Sequence, residues 1–423
     1  MLTGTFRSLA NRNYRLWAAG AFISNIGTWM QRTAQDWIVL AELTDHSASA
    51  VGIVMALQFG PSMLLLPFTG YAADRFDRRK LLLATQSAQG LLALLLGILT
   101  VAGAVQLWHV YAFALLLGCV TAFDAPARQT FVSELVSDAL LSNAVALNST
   151  SFNAARMIGP AIAGLLIAGI GTGWVFLINA GSFVAVIAAL VVLRVDDLHH
   201  KDRAARSTGG MLEGIRYVRS RPELKALLWM LFLMMTFGIN FPVFISAMAV
   251  KVFHAESHEF GVLSSMLAVG SVSGALFAAG RDKPRASLLV GGTLCFGVGL
   301  GLAALMPTYP LFGMSLVFVG LAAQTFNTSA NSTVQLWTEP AMRGRVMAIY
   351  MAIAMGCTPL GAPLVGWVAD RFGARWSLAV GAAAGFAAAC VGVGYLVRHR
   401  GLRLGLPRGR ARVRAVPEVV EKQ

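Results

Sequence analysis

The stretch GYAADRFDRRK, residues 70–80, sets four cations and two anions between long apolar runs. Working outward, the runs repeat along the whole chain. Of 423 residues, 57% are hydrophobic and 13% charged, and the mean hydropathy is +0.66. A soluble chain would carry about 25% charged residues, so the composition excludes a soluble multidomain enzyme and indicates a polytopic membrane protein. Cys119, Cys295, Cys357 and Cys390 all fall in apolar runs without metal or redox spacing, and read as inert core thiols. No cleavable leader pattern stands at the start; MLTGTFRSLANRNYRLW reads as a basic cytoplasmic lead-in to the first span.

A spanning helix needs about 20 mostly apolar residues. Twelve segments qualify, at about residues 15–41, 48–72, 81–103, 107–127, 143–169, 173–194, 224–250, 260–280, 286–306, 310–335, 345–369 and 376–397. The expected architecture is an all-α bundle of two six-helix halves, residues 1–194 and 224–397. A polar cytoplasmic loop, 195–223, joins them, and a basic cytoplasmic tail, 398–423, follows. With the N-terminus inside, only Lys251, Arg371 and Arg375 fall outside, and only Arg32 and Arg156 inside the bilayer. Every other cation of the 34 then lies on the cytoplasmic side. That asymmetry sets both termini and the central loop on the cytoplasmic side. It also accounts for the net charge of +14 without nucleic acid, and places the Arg-rich tail on anionic lipid headgroups.

The two halves carry an internal match. ARMIGPAIAGLLIAGIGTGW (155–174) and CTPLGAPLVGWVADRFGARW (357–376) align without gaps at an offset of 202. Gly159 meets Gly361, Gly164 meets Gly366, Gly171 meets Gly373 and Trp174 meets Trp376. The halves are therefore expected to be parallel repeats, with spans 5–6 equivalent to spans 11–12. This also places ADRF at 369–372, an echo of the opening stretch, in an outside loop. By position it is not expected to share the role of the 70–80 loop.

Gly70, Asp74, Arg75, Arg78 and Arg79, between spans 2 and 3, resemble the signature loop of the major facilitator superfamily. GTWMQRTAQDWIVLAELT in span 1, AFDAPARQTFVSELV after span 4 and RMIGPAIAG in span 5 resemble its bacterial drug and siderophore exporters, among them enterobactin-exporter-like and macrolide-efflux-like proteins. Where the family usually carries Gly, suited to a turn of positive φ, this chain has Asp77. GRDKPRA in the second half keeps cations but not the aligned aspartate. Ala155 and Ala163 stand where the span-5 pattern usually has Gly. The resemblance implies that Asp74 sits against the N-terminus of span 11. Arg75, Arg78 and Arg79 would pair with inner-face acids, for which Asp124, Glu134 and Glu339 are candidates. Such a set would latch the halves on the cytoplasmic side. For Lys80 the simpler reading is topology alone.

Charges and amides inside spans are costly and default to function. Asn25, Trp29, Arg32 and Asp36 recur along one face of span 1, with Arg32 and Asp36 able to pair one turn apart. Asp36 is the best in-span proton carrier; Asp124 or Glu134 are alternatives. In span 5, Asn148, Phe152 and Arg156 share a face, with Gly159, Pro160 and Gly164 supplying a bend and a close contact. Arg156 is either a cavity cation, a partner for Asp36 or a clasp near the inner surface. Gln324, Asn327, Asn331 and Gln335 line one face of span 10, which suits a water-filled cavity. TFGINFPVF in span 7, with Gly238, Asn240 and Pro242, reads as a hinge. Phe59, Phe237, Phe241 and Phe326 would add aromatic lining. Pro363, between Gly361 and Gly366, belongs with the packing and bend positions of span 11.

Together these readings favour a monomeric secondary transporter. It would export an amphipathic small molecule by proton antiport, needing no cofactor beyond the proton gradient. No phosphate-cradling G-x-x-x-x-G-K-[ST] is present to make ATP the energy source. A facilitator or importer on the same fold is the alternative. A membrane enzyme is more remote, since His199-His200 stands without a second polar cluster.

Overall fold

The computed structural model describes residues 6–65, 68–69, 75–199, 211–279, 286–340 and 342–400, and its regular elements are helical throughout. α1 covers Arg12–Trp37 and widens into a π-helical turn, Ile38–Glu42. α2 (Ala48–Leu64), α3 (Arg78–Val101), α4 (Leu107–Leu135), α5 (Asp138–Ile170) and α6 (Thr172–Val192) follow. α7 (Met211–Ser220) is a short amphipathic helix inside the polar central segment. α8 (Pro222–Leu233), a π-helical turn (Met234–Gly238) and α9 (Phe241–Lys251) form one broken rod. Then come α10 (Ser257–Ala279), α11 (Ala286–Leu305), α12 (Tyr309–Trp337), α13 (Arg343–Gly356), α14 (Thr358–Phe372) and α15 (Ala374–Arg400).

Among the described residues, ten helical segments are long and apolar enough to cross a membrane, counting α8–α9 and α13–α14 as one each. α1 is more polar, carrying Gln31, Arg32, Gln35 and Asp36, and α2 is shorter, at 17 residues. The hinge or unwound point expected in TFGINFPVF appears as an interruption of the regular helix at Ile239 and Asn240, with Pro242 in the first turn of α9. A second break, not anticipated, parts α13 from α14 at Cys357, just before Pro359. α5 instead runs on through Pro160 as one helix.

α1 packs on α5 and α6, α3 on α4 and α6, and α2 on α4; α10 packs on α12, α11 on α12 and α15, and α8 on α15. Two further contacts tie these groups together, α2 with α14 and α5 with α10. Both rest on glycine. A Cβ on Gly366 would lie 2.5 Å from the Ala48 carbonyl oxygen, and one on Gly164 would lie 2.7 Å from that of Ser257. Ala48 and Ser257 begin α2 and α10, so the offset-202 match holds in three dimensions. It holds at the helix ends too: Gly171 and Gly373 terminate α5 and α14 with φ of 88° and 104°. Only glycine takes that conformation without strain.

Gly361 is the tightest approach. A Cβ there would fall 1.5 Å from the Thr236 carbonyl oxygen in the widened turn after α8. Gly361→Ala must push α14 off that turn and is expected to cost about 1–3 kcal/mol. A fall in detergent Tm would register it, and a Tm equal to wild type would show that the contact is not close.

Candidate functional site

The site residues fall into three sets. The first is central. Arg32 stands with its guanidinium 5.0 Å from the Trp29 ring centroid and 5.6 Å from that of Phe59. Its Nε is buried without a hydrogen-bond partner. Among the described residues no ion pair within 4 Å joins Arg32 to Asp36, so the expected pair is not formed. The aromatic faces of α1 and α2 hold the cation instead. Trp29 in turn meets Phe152 of α5 edge to face at 5.8 Å. Arg156, half-buried one turn along α5, likewise has no ion pair among the described residues, which argues against its being a clasp or the partner of Asp36. Beside Arg32, Gln58 Nε2 donates to Gln35 Oε1 at 3.0 Å.

The amide face of α12 is present and half-buried at Gln324, Asn327 and Asn331. Gln324 Nε2 donates to Thr328 at 3.3 Å, Gln335 Nε2 to Asn331 Oδ1 at 2.6 Å, and the Tyr350 hydroxyl to Asn327 Oδ1 at 3.2 Å. Asn148 and Phe237 are half-buried, and Phe152 is 45% exposed. Asn240 and Phe326, expected to line a cavity, are both 0% exposed and belong to the packed interior. Asn240 Nδ2 satisfies the Thr236 carbonyl at 2.8 Å, inside the helix break. Asn25 is also buried, where its Oδ1 accepts from Arg128 Nη1 at 3.0 Å.

The second set lies at the end of the bundle where α2 leads into α3. Gly70 and Asp74 fall outside the described residues. Arg78 and Glu134 form an ion pair, as expected. Arg79 finds no acid but donates from Nε to the Leu190 carbonyl at 2.6 Å, closing the C-terminal turn of α6. Asp77 needs no glycine-like conformation. Its φ is −60° and its carboxylate accepts from Lys80 N at 2.8 Å, so it is the N-cap of α3. Two proposed latch partners are engaged elsewhere. Asp124 is only 4% exposed. It accepts from Thr85 Oγ1 at 2.7 Å, from Gln86 Nε2 at 2.6 Å and from Arg128 Nε at 3.2 Å. Glu339 pairs with Arg221 at the start of α8. α7 adds Glu213, which pairs with Arg345 of α13 at 3.2 Å. Of the cysteines, Cys357 alone is buried, while Cys295 and Cys390 are exposed on the flanks of apolar helices, so "core thiol" fits one of them.

The third set was missed in the sequence, and it involves the ADRF echo. Asp370, at the C-terminal end of α14, accepts from the backbone N–H of Ala48 at 2.8 Å and of Ser49 at 2.9 Å, and from Ser47 Oγ at 3.0 Å. Lys251, at the end of α9, donates to Asp370 Oδ1 at 2.7 Å. The echo therefore does form a latch of the type expected of Asp74, at the opposite end of the bundle. Its signal lay in the shared pattern Gly-x-x-x-Asp-Arg-Phe rather than in the alignment of the halves.

Across residues 3–403 the chain matches the family described as transmembrane secretion effector, within the major facilitator superfamily. The chain belongs to this family. Among its relatives, the staphyloferrin A transporter of Staphylococcus aureus is 26% identical over 92% of this chain and 96% of its own length. Multidrug efflux pump Tap of Mycolicibacterium fortuitum is 28% identical over 84% of this chain and 88% of its own. A POT family transporter crystallised with 5-aminolevulinic acid shares the fold, with a TM-score of 0.74 over 92% of this chain and 96% of that one, at 12% identity. A secretion effector of this superfamily is a multi-pass membrane transporter, and the observed helical bundle agrees with that.

Proposed function

We propose that the protein exports an amphipathic small molecule, a drug, siderophore or secondary metabolite, in exchange for protons, as a monomer with alternating access. The observation that carries this is the set of half-buried charged and amide side chains held within membrane-crossing helices. It comprises Arg32 on Trp29 and Phe59, Asp36, Arg156, and the amide face of Gln324, Asn327 and Asn331. Such groups are retained where water and substrate must pass. The relatives' names, a siderophore transporter and a drug efflux pump, point to the same substrate class. The supporting architecture is twelve spans, α1–α6 and α8–α15, in two bundles (residues 1–194 and 224–397) that rock against each other. The cation distribution puts both termini and the Arg78–Glu134 end in the cytoplasm, and the Asp370 end outside. On that orientation the Asp370 contacts join α2, α9 and α14 on the outer side.

The test is expression in an efflux-deficient host against a broad compound panel, comparing wild type with Asp36→Asn and Asp74→Asn. Wild type is expected to lower accumulation of one or more amphipathic compounds, and each variant to lose that effect. Unchanged transport in both variants would remove the assigned roles.

A further inference from the structure

The motif of the opening stretch occurs twice, as GYAADRF at 70–76 and GWVADRF at 366–372, with Gly, Ala, Asp, Arg and Phe in register. The first copy follows α2 in the sequence, with residues 70–74 outside the described residues, and the second closes α14. These two helices pack against each other in opposite directions. Gly366 meets Ala48, Gly52 meets Ala362, and Gly356 meets Met63. An antiparallel pair places the C-terminal end of each helix beside the N-terminal end of the other. In the α14 copy, Gly366 lets the backbones close and Asp370, one turn on, reaches the first turn of α2. That turn has no acid of its own.

At the other end, α13 begins with Arg343 and Arg345 and no acid in its first turn, and its N-cap, Met342, makes no side-chain cap bond. Cations at a helix N-terminus oppose the helix dipole, so this end favours a carboxylate supplied from elsewhere. Glu213 of α7 supplies one there, to Arg345. The alignment of the halves does not generate the repeat of the motif, because the residue 202 positions before Asp370 is Ala168.

We propose that Asp370 is the outer gate residue of transport: its carboxylate on the α2 N-terminus, with Lys251, seals the outer face, and must let go before the outer face opens. This rests on the alternating-access reading above. Its test, however, uses no substrate and no gradient, so a failure of either is recognisable on its own.

Spin labels at positions 104 and 307, both on exposed outer loops, would report the outer opening by pulsed electron–electron distances. The protein is a cysteine-free full chain in nanodiscs of phosphatidylethanolamine and phosphatidylglycerol. Wild type is expected to show mainly the short distance. Asp370→Asn should raise the long-distance fraction relative to the short about tenfold, the scale of losing one charge-assisted cap with its ion pair. Lys251→Met should shift it the same way by less, Asp370→Glu should restore most of the short distance, and Asp74→Asn should not lengthen it. A carboxylate that only stabilises the fold would lower Tm without moving this ratio. A distribution in Asp370→Asn equal to wild type, or restoration absent in Asp370→Glu, overturns the proposal.

Discussion

Asp36→Asn is expected to abolish gradient-driven export while leaving substrate exchange across the membrane intact. Asp36 is the carboxylate on the same α1 face as Trp29 and Arg32, one turn from the cation. Arg32 is held over Trp29 and Phe59 rather than in an ion pair with Asp36, and on the proposed antiport reading Asp36 is the group that carries the proton. An amide has the same shape and cannot. Export in the presence of a pH gradient should fall at least about tenfold, the usual scale of a coupling between two ligands. Counterflow of preloaded substrate, which needs no proton, should stay within about twofold of wild type. Loss of both activities would make Asp36 part of substrate binding or of the fold, and retention of both would move the coupling site elsewhere.

The second large effect is on stability. Asp124→Ala leaves Arg128 without its carboxylate and strands Gln86 Nε2, while Thr85 Oγ1 keeps the Leu82 carbonyl, in a site where Asp124 is 4% exposed. Breaking a buried pair by removing one member costs about 3–5 kcal/mol, because the remaining charge is uncompensated. The double variant Asp124→Leu with Arg128→Leu removes both charges and should recover a large part of that loss. Thermal unfolding in one detergent would rank the three proteins. A single variant as stable as wild type would show that water already reaches Arg128.

Ten of the twelve spans, the helix break at Asn240 and the glycine contacts were legible because each follows from a local rule. Apolar length marks a crossing, Pro restarts a helix, and Gly marks close approach or positive φ. The offset of 202 even anticipated the matched backbone of Gly171 and Gly373. Partner choice was not legible in the same way. Asp124 and Glu339 were plausible partners for the basic loop by side of the membrane, yet Thr85, Gln86 and Arg128 lie on faces that periodicity does not rank. Arg32 and Asp36 have the spacing of a helical pair, but two aromatic rings from different helices decide where the guanidinium rests. Asp77 was weighed as a replacement for glycine, when its position before Arg78 made it an N-cap. Asp370 falls where the alignment of the halves gives no counterpart of the 70–80 loop. Its role depends on which helix runs beside α14, and that is a fact of tertiary packing.

The central claim is proton-coupled export, and inside-out membrane vesicles test it most directly. Vesicles carrying the protein, energised to an acidic interior, should accumulate a transported compound found in the panel. Collapsing the gradient with a protonophore should release it, and Asp36→Asn vesicles should not accumulate it. Accumulation that persists without the gradient would contradict antiport, and uptake that only equalises concentration on the two sides would identify the protein as a facilitator.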